Sequence, residues 1–429
     1  MARLDEALGT PWRGEGLPKV QWMLYLRTMN PRIYVLALGT FMVGTEGYVI
    51  AGVLPAVAHD LHTSVALCGQ MVTVFALVYA LAGPPLIGLF QRVRPKRLLV
   101  GAALAFGAAN LLAAAAPDFD VLVLARVLTA LGAALFTAPA AAAAAALCTP
   151  QELPRAIAVT AGGNALALTL GAPIGTLVGS AFGWRASFCL VAALALVTAG
   201  AVWVGLPEIP VPEARVAGRL NLLRQAPVRW GLCTTGGLFL AAYCVYTYLT
   251  PVAHAGAGLG SDGVAALMIV FGAGGVLGGR LVGSVLARRS VAAVLRAALA
   301  TVAGMLALLA LVTVAHIPTV AGVVEFPLMF VFGTAWWFGG ISQQTRLVRL
   351  APTQRSQVLG LHFAAQFLGV AVGGAIGGLS LSLAGATAVP VVGATVALIT
   401  LLSVRRTTPA PTGSGEQDSA GRLRTTLTG

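Results

Sequence analysis

The chain has 429 residues, of which 58% are hydrophobic and only 10% are charged. This composition excludes an ordinary water-soluble domain and is typical of a protein that lies in a lipid bilayer. The formal net charge of +13 does not require a nucleic-acid partner, because basic residues also accumulate in the loops on one side of a membrane.

Twelve uncharged or nearly uncharged segments follow one another along the chain, each long enough to cross the hydrocarbon core of a bilayer. The first six cover residues 33–56, 67–90, 98–116, 121–147, 156–182 and 186–206. The other six cover residues 230–253, 264–287, 291–314, 317–345, 357–383 and 386–404. These segments, numbered here as spans one to twelve, predict an all-α membrane protein with twelve transmembrane helices in two six-helix bundles.

The predicted domain organisation follows from these spans. Its parts are a tail at 1–32, a first bundle at 33–206, a central loop at 207–227, a second bundle at 228–404 and a disordered tail at 405–429. Of the 27 basic residues, all but Arg126 and Arg185 fall in the tails or in alternate connections on one side. Because basic loops stay inside, both tails and the central loop are predicted to face the cytoplasm. Arginine and alanine are abundant and lysine is scarce, which indicates a GC-rich bacterial genome. The predicted location is therefore the bacterial cytoplasmic membrane.

The two halves repeat. The segment "LIGLFQRVRPKRLL" from Leu86 aligns with "LVGSVLARRSVAAV" from Leu281 at an offset of 195 residues. An independent match has an offset of 198 residues and consists of two glycine triplets, Gly171, Gly175 and Gly179 on the fifth span and Gly369, Gly373 and Gly377 on the eleventh. Glycines four residues apart clear one helix face, so a neighbouring backbone can approach closely. Parallel repeats of this kind are typical of transporters whose halves rock around a central site.

Four further segments carry recognisable motifs: "GTEGYVIAGVLPAVAHDL" on the first span, "GPPLIGLFQRVRPKR" after the second, "LARVLTALGAALF" on the fourth and "LGAPIGTLVGSAFGWR", which includes Pro173, on the fifth. With these motifs the chain resembles the twelve-span drug:proton antiporter branch of the major facilitator superfamily, near the chloramphenicol-resistance and arabinose-efflux-like exporters. The resemblance covers residues 33–406 and implies a proton-driven efflux transporter, with antibiotic resistance as one outcome.

One motif departs from the family pattern. The connection after the second span carries Gly88, Arg92, Lys96 and Arg97, but it lacks the acidic residue that the family usually has shortly after the glycine. The interdomain latch that the family assigns to this acid is therefore expected to be absent or rebuilt.

Only two of the fourteen carboxylates, Glu46 and Glu325, lie deep within predicted spans. A charge at the bilayer centre costs about 2.5–3.5 kcal/mol on insertion scales, so Glu46 is expected to face a water-accessible cavity, to have a partner or to be protonated. Burial disfavours the charged form of a carboxyl group and a nearby cation favours it, and a group poised between the two can exchange protons with either side. The alternative for Glu46 is a permanently neutral acid that is hydrogen-bonded between helices.

Arg126 lies a few residues into the fourth span and matches an arginine to which the resemblance assigns proton transfer. Its charge could act on a nearby carboxyl group or hold water for proton passage. The alternative is an arginine that reaches the outer membrane interface, which Asp118 and Asp120 nearby would permit. Glu46, Arg126 and Glu325 are thus the candidate proton-coupling residues.

The candidate substrate site combines an acid with aromatic and polar side chains. Tyr243 and Tyr246 share a face of the seventh span, and Trp336 with Trp337 lies on the tenth. An apolar cavity with a few polar groups suits a lipophilic compound. The further candidates are Glu46, Asn164 and Gln366, whereas His362 lies close to a basic connection. Each of these polar groups could equally bond a neighbouring helix, and the aromatic residues could serve helix packing.

The predicted function is export of a small amphipathic drug or metabolite in exchange for protons. The alternative is a sugar or nucleoside exporter of the same fold, which would have more hydrogen-bonding residues at the membrane midplane. An enzyme is not expected, because the spans contain neither a metalloprotease His-Glu-x-x-His motif nor a serine-lysine pair. The five cysteines lack metal-type spacing, so no metal and no cofactor is predicted. The expected partners are the small-molecule substrate, protons and membrane lipid, and the chain is expected to act as a monomer.

Overall fold

The computed structural model describes residues 30–90, 92–149, 152–209, 222–315, 318–352 and 354–406. Nearly all of residues 1–32 and 405–429, for which tails are predicted, and residues 210–221 of the predicted central loop lie outside these ranges.

The described chain folds into helices that follow the predicted spans. The first four spans are the helices Arg32–Asp60, Val65–Leu89, Pro95–Ala114 and Phe119–Ala146. The fifth consists of Leu153–Leu166, Ala167–Gly171 and Ala172–Phe182, and the sixth is Trp184–Gly205. The seventh consists of Ala226–Tyr246 and Leu249–Ala257, and the last five are Ser261–Arg288, Val291–Ala315, Pro318–Leu350, Arg355–Ala384 and Ala388–Arg406.

Eleven helices of the described chain are long and apolar enough to cross a membrane, and the twelfth contributes a shorter apolar stretch, Ala388–Val404. The protein is therefore a twelve-span membrane protein, as its hydrophobic segments predict.

Two spans differ from a continuous α-helix, and proline accounts for both. Pro173 has no N–H with which to bond the carbonyl of Thr169, and a wider π-helical turn, Ala167–Gly171, directly precedes it. The seventh span is broken at Thr247 and Tyr248, although the sequence predicts one helix there. Pro251 cannot bond the carbonyl of Thr247, so the break falls one turn before this proline.

The glycine triplets let helices pack closely in both halves. A side chain added at Gly171, Gly175 or Gly179 would meet Thr45, Val49 or Val53 of the first span. In the second half, a side chain at Gly373 would meet the backbone of Leu240 on the seventh span. The fifth span thus packs on the first as the eleventh packs on the seventh, which agrees with the internal repeat.

The twelve helices present two chemically different ends. We call the end at which Arg32 and the 289–290 connection lie the basic end, and the end at which Asp60 and the 258–260 connection lie the opposite end. At the opposite end, the exposed Arg185 forms an ion pair with Asp60, which also accepts a hydrogen bond of 3.0 Å from the Trp184 indole.

Hydrogen bonds join the two halves toward the opposite end. The Thr250 hydroxyl donates to the carbonyl of Ala51 at 2.8 Å. The Tyr248 hydroxyl lies 3.3 Å from the carbonyl of Ala66 and accepts a hydrogen bond of 3.4 Å from the Gln70 amide, both in the first half. Within its own half it lies 2.9 Å from the carbonyl of Gly374. Because Thr250 and Tyr248 lie at the break of the seventh span, this break positions the side chains that close the halves against each other.

Candidate functional site

Glu46 and Arg126 form an ion pair inside the first bundle. Their side chains are 0% and 1% exposed, respectively. The Arg126 guanidinium also lies over the Phe75 ring, 4.8 Å from its centroid, which is a favourable cation–π distance. The pair therefore bridges the first and fourth spans beside the second. Of the alternatives for Arg126, an arginine that reaches the outer interface is wrong, because the side chain is buried.

The Glu46 side chain points away from the boundary between the two halves. Successive helical residues are rotated by about 100°, so positions 46 and 48 point to nearly opposite sides. Tyr48 contacts the second half, where its ring lies 5.9 Å from that of Tyr246. Glu46 points instead toward Arg126 within its own half. A solute between Tyr48 and Tyr246 would therefore not touch the Glu46 carboxylate.

Five aromatic side chains meet where the halves face each other, and we call Tyr48, Tyr243, Tyr246, Phe271 and Trp336 the aromatic cluster. The rings of Tyr243 and Tyr246 are 5.8 Å apart, those of Tyr246 and Phe271 5.4 Å, and those of Phe271 and Trp336 5.7 Å. These distances lie in the range in which aromatic pairs attract. The first, seventh, eighth and tenth spans thus contribute to one apolar site.

The aromatic cluster surrounds a small cavity, which Leu168 and Ala242 complete. Nowhere is it wide enough to hold a water molecule. None of its lining residues carries a charge. In this conformation the site is closed, and a substrate can enter only after the rings have separated.

Two polar atoms of the aromatic cluster lack a hydrogen-bond partner within the described part of the chain. They are the Tyr246 hydroxyl and the Trp336 indole nitrogen, on side chains that are 4% and 6% exposed. A buried donor without an acceptor costs about 1–3 kcal/mol. The Tyr48 hydroxyl, in contrast, accepts a hydrogen bond of 3.1 Å from the Asn164 amide. An uncharged compound with a hydrogen-bond acceptor would therefore satisfy donors that the closed site leaves unmatched.

The structure separates three polar residues of the second half, Glu325, Gln366 and His362, from this site. Glu325 is 1% exposed and lies beside Gly256, toward the opposite end. Gln366 is half-buried on the eleventh span and does not line the cavity. His362 bonds the Thr235 hydroxyl at 3.1 Å, so it contacts a neighbouring helix.

The basic connection after the second span contacts its own half. Arg94 forms an exposed ion pair of 3.6 Å with Glu208, and Lys96 lies 5.4 Å from the Trp203 ring centroid. Arg92 and Arg97 are exposed, and Gly88 has open space beside it. These contacts do not rebuild the interdomain latch that the family resemblance implies.

Tyr48 and Phe271 belong to the aromatic cluster although they are not among the residues predicted from the sequence. For Tyr48 a usable signal exists, because it precedes Tyr246 by 198 residues, which is the offset of the glycine triplets. Phe271 has no comparable signal, since a phenylalanine in a span most often serves helix packing. In the described ranges, no three His, Cys, Asp or Glu residues are grouped so that they could hold a metal ion.

Comparisons with known proteins agree on the family. Residues 36–355 match the model of the Major Facilitator Superfamily. An uncharacterized MFS-type transporter of Bacillus subtilis (strain 168), YbcL, is 31% identical over 386 residues, which are 88% of this chain and 96% of that protein.

Solved structures of transporters share the fold. The crystal structure of a D-xylose-proton symporter has a TM-score of 0.75 and 15% identity, and the match covers 89% of this chain and 98% of that one. The nucleoside transporter NupG has a TM-score of 0.72 and 14% identity over 89% of this chain and 100% of its own. At these identities the likeness extends to the fold alone.

Proposed function

We propose that this chain, which belongs to the Major Facilitator Superfamily, is a proton-coupled exporter of a small amphipathic drug or metabolite across the bacterial cytoplasmic membrane. The observation that carries the proposal is the buried ion pair between Glu46 and Arg126. Buried charges in a membrane span are expensive and usually serve ion or proton pathways.

The ion pair is a proton-sensitive contact between helices. Protonation of Glu46 removes the negative charge that Arg126 faces, and Arg126 then remains as a buried cation without a counter-charge. Such a state costs several kcal/mol unless the helices move to let water or another group reach the guanidinium. A proton on Glu46 therefore favours a rearrangement of the first, second and fourth spans.

Movement of the first span transmits this rearrangement to the substrate. Tyr48 lies two residues after Glu46 on the same helix and belongs to the aromatic cluster. Glu46 is a candidate for both proton coupling and substrate binding, and because it faces away from the cluster we assign it the proton alone. Proton and substrate act instead on two faces of one helix, and each biases the same alternating-access equilibrium.

The lining of the cavity supports an amphipathic substrate over a sugar or nucleoside. Its walls are aromatic and aliphatic, and the polar atoms at hand are few: the tyrosine hydroxyls, the Trp336 nitrogen and the nearby Asn164 amide. A sugar would leave many hydroxyl groups without partners in such a site. A flat compound with one or two hydrogen-bond acceptors would leave no such groups without partners.

The direction of transport rests on the proposed orientation, with the basic end in the cytoplasm. The contacts of Thr250 with Ala51 and of Tyr248 with Ala66 then close the extracellular side. Substrate enters from the cytoplasm once the rings separate, and protons return from outside when the halves rock to the other state.

A proton-release measurement tests the proposal. A susceptibility panel in an efflux-deficient bacterium expressing the chain first identifies a substrate. Purified protein in weakly buffered detergent is then mixed with that substrate, and the pH change is recorded for wild type, Glu46→Gln and, as a control, Glu325→Gln. We expect release from wild type and Glu325→Gln and none from folded Glu46→Gln. Equal release from wild type and Glu46→Gln would assign coupling to another group.

A further inference from the structure

A groove on the outside of the second bundle is the larger of the two cavities described, with a volume of about 520 Å³. It lies between the eighth and ninth spans, and the tenth span forms its floor through Phe330, Thr334 and Phe338. The eighth and ninth spans are joined at the basic end by a short connection that includes Arg289, which also lines the groove.

The groove opens toward the bilayer and is as long as one leaflet is thick. Its lining runs along the eighth span from Arg289 to Leu277, twelve residues or about 18 Å of helix. Half of the hydrocarbon core of a bilayer is about 15 Å thick. Between these ends the lining is aliphatic and aromatic apart from Thr301 and Thr334. An acyl chain of the leaflet at the basic end therefore fits this space in length and polarity.

Arg289 supplies a positive charge at the mouth of the groove, and within the described ranges no acidic side chain pairs with it. In the described part of the second half, residues 222–406, the acidic residues are Asp262 and Glu325, and both lie toward the opposite end. The ion pairs seen among the described residues all belong to the first half, so none neutralises Arg289. Arg288, also exposed, adds a second positive charge beside it. No acidic side chain of the described residues pairs with Arg289, so the site is open to an anionic group from outside the bundle.

The groove does not communicate with the aromatic cluster. A side chain added at Gly274 would collide with the carbonyl of Phe330, and one added at Gly278 would lie 2.7 Å from the carbonyl of Thr334. The eighth and tenth spans are thus in backbone contact and leave no passage between groove and cluster. The groove is therefore separate from the candidate substrate site.

We propose that this groove is a binding site for an anionic phospholipid, with one acyl chain along the tenth span and the phosphate on Arg289. A phosphate group accepts the charge-assisted hydrogen bonds that a guanidinium donates. Basic pockets between spans at a cytoplasmic surface are suited to anionic headgroups. This site does not depend on proton coupling at Glu46.

Native mass spectrometry of the full-length protein tests the site. The protein is incubated with equal amounts of phosphatidylglycerol and phosphatidylethanolamine that have identical acyl chains, and bound lipids are counted. We expect wild type to retain phosphatidylglycerol roughly fivefold better than phosphatidylethanolamine, the preference that one basic contact provides. Glycerol phosphate, added as a free headgroup, should not displace the lipid, because it lacks the acyl chain that fills the groove.

Matched variants distinguish the headgroup contact from the acyl-chain contact. Arg289→Gln should reduce the ratio of bound phosphatidylglycerol to bound phosphatidylethanolamine to nearly one, and Arg289→Lys should keep most of the preference. Ala297→Trp, at an exposed position in the groove, should reduce retention of both lipids. Arg349→Gln and Ala300→Trp, at exposed positions outside the lining, should behave as wild type.

Three results would overturn the proposal. The first is equal retention of the two lipids by wild type. The second is a loss of preference in Arg349→Gln as large as that in Arg289→Gln, and the third is undiminished lipid retention in Ala297→Trp. Size-exclusion chromatography selects folded protein before each measurement, so a folding defect is not mistaken for a loss of lipid.

Discussion

Tyr48 and Tyr246 occupy equivalent positions in the two halves, 198 residues apart, and their rings meet edge to face with 5.9 Å between centroids. The same offset relates the glycine triplets of the fifth and eleventh spans. The internal symmetry of the chain therefore brings two copies of one position together at the closed centre. Glu46 lies less than one helical turn from Tyr48 on the same helix. A rearrangement of the ion pair can therefore move the Tyr48 ring.

The first prediction concerns the stability of the ion pair. Glu46→Leu should destabilise the folded protein by about 3–5 kcal/mol, because it leaves Arg126 buried without a counter-charge. The double variant Glu46→Leu/Arg126→Met should recover a large part of this loss. Denaturant unfolding in detergent measures the cycle. Glu208→Gln, in the exposed Arg94 pair, is the control and should change stability by less than about 1 kcal/mol. Additive losses in the double variant would show that the two residues do not interact.

The second prediction concerns the aromatic cluster. Tyr246→Ala and Tyr48→Ala should each raise the KM for the identified substrate roughly three- to tenfold, the effect expected from losing an aromatic contact. Transport into inverted vesicles measures this change. Tyr34→Ala, at a 43% exposed position of the first span, should leave KM unchanged. If both cluster variants keep the wild-type KM, the substrate binds elsewhere.

The third prediction concerns the glycine face of the fifth span. Gly175→Leu should abolish transport, because the new side chain would collide with Val49 of the first span. Gly162→Leu is the matched control on the same span, since no atom lies within 4 Å of a Cβ added there. Transport by the two variants is compared at equal amounts of membrane-inserted protein. Undiminished transport by Gly175→Leu would mean that close packing there is dispensable.

The fourth prediction concerns closure at the opposite end. Tyr248→Phe removes a hydroxyl that contacts the first half, 3.3 Å from the Ala66 carbonyl and 3.4 Å from the Gln70 amide nitrogen, and a neutral hydrogen bond contributes about 0.5–1.5 kcal/mol. Spin labels at His62 and Ser261, one on each half, should therefore report a roughly two- to tenfold larger population with the halves apart. Tyr34→Phe is the control. The prediction fails if the distance distribution of Tyr248→Phe matches that of wild type.

The fifth prediction concerns orientation. In a variant without native cysteines, an impermeant reagent applied to intact cells should label a cysteine at Ser261 and spare one at Ser290, because the basic end is predicted to face the cytoplasm. Both positions are exposed, so accessibility within the protein does not bias the comparison. Permeabilised cells, in which both should react, provide the control. The reverse pattern in intact cells would invert the topology.

The sequence predicted the elements of the site more completely than their arrangement. Glu46 and Arg126 could be singled out because charges within spans are rare, and the spacing of Tyr243 and Tyr246 placed them on one face of a helix. That Glu46 pairs with Arg126 and faces away from Tyr48 could not be read from either segment. This arrangement depends on how the first and fourth helices are rotated against each other, which the packing of side chains 80 residues apart decides.

The sequence by itself determined that the chain crosses the membrane twelve times and that its halves repeat. The physical reason is that the bilayer requires about twenty apolar residues for each crossing, and that glycine spacing clears a helix face wherever the helix packs. Only the tertiary structure decided which side chains meet at the centre, where the seventh span breaks, and that a groove with Arg289 at its mouth remains between the eighth and ninth spans. These features depend on how each helix is rotated about its axis and on the angles at which neighbouring helices cross and diverge. Contacts between residues far apart in the chain set both.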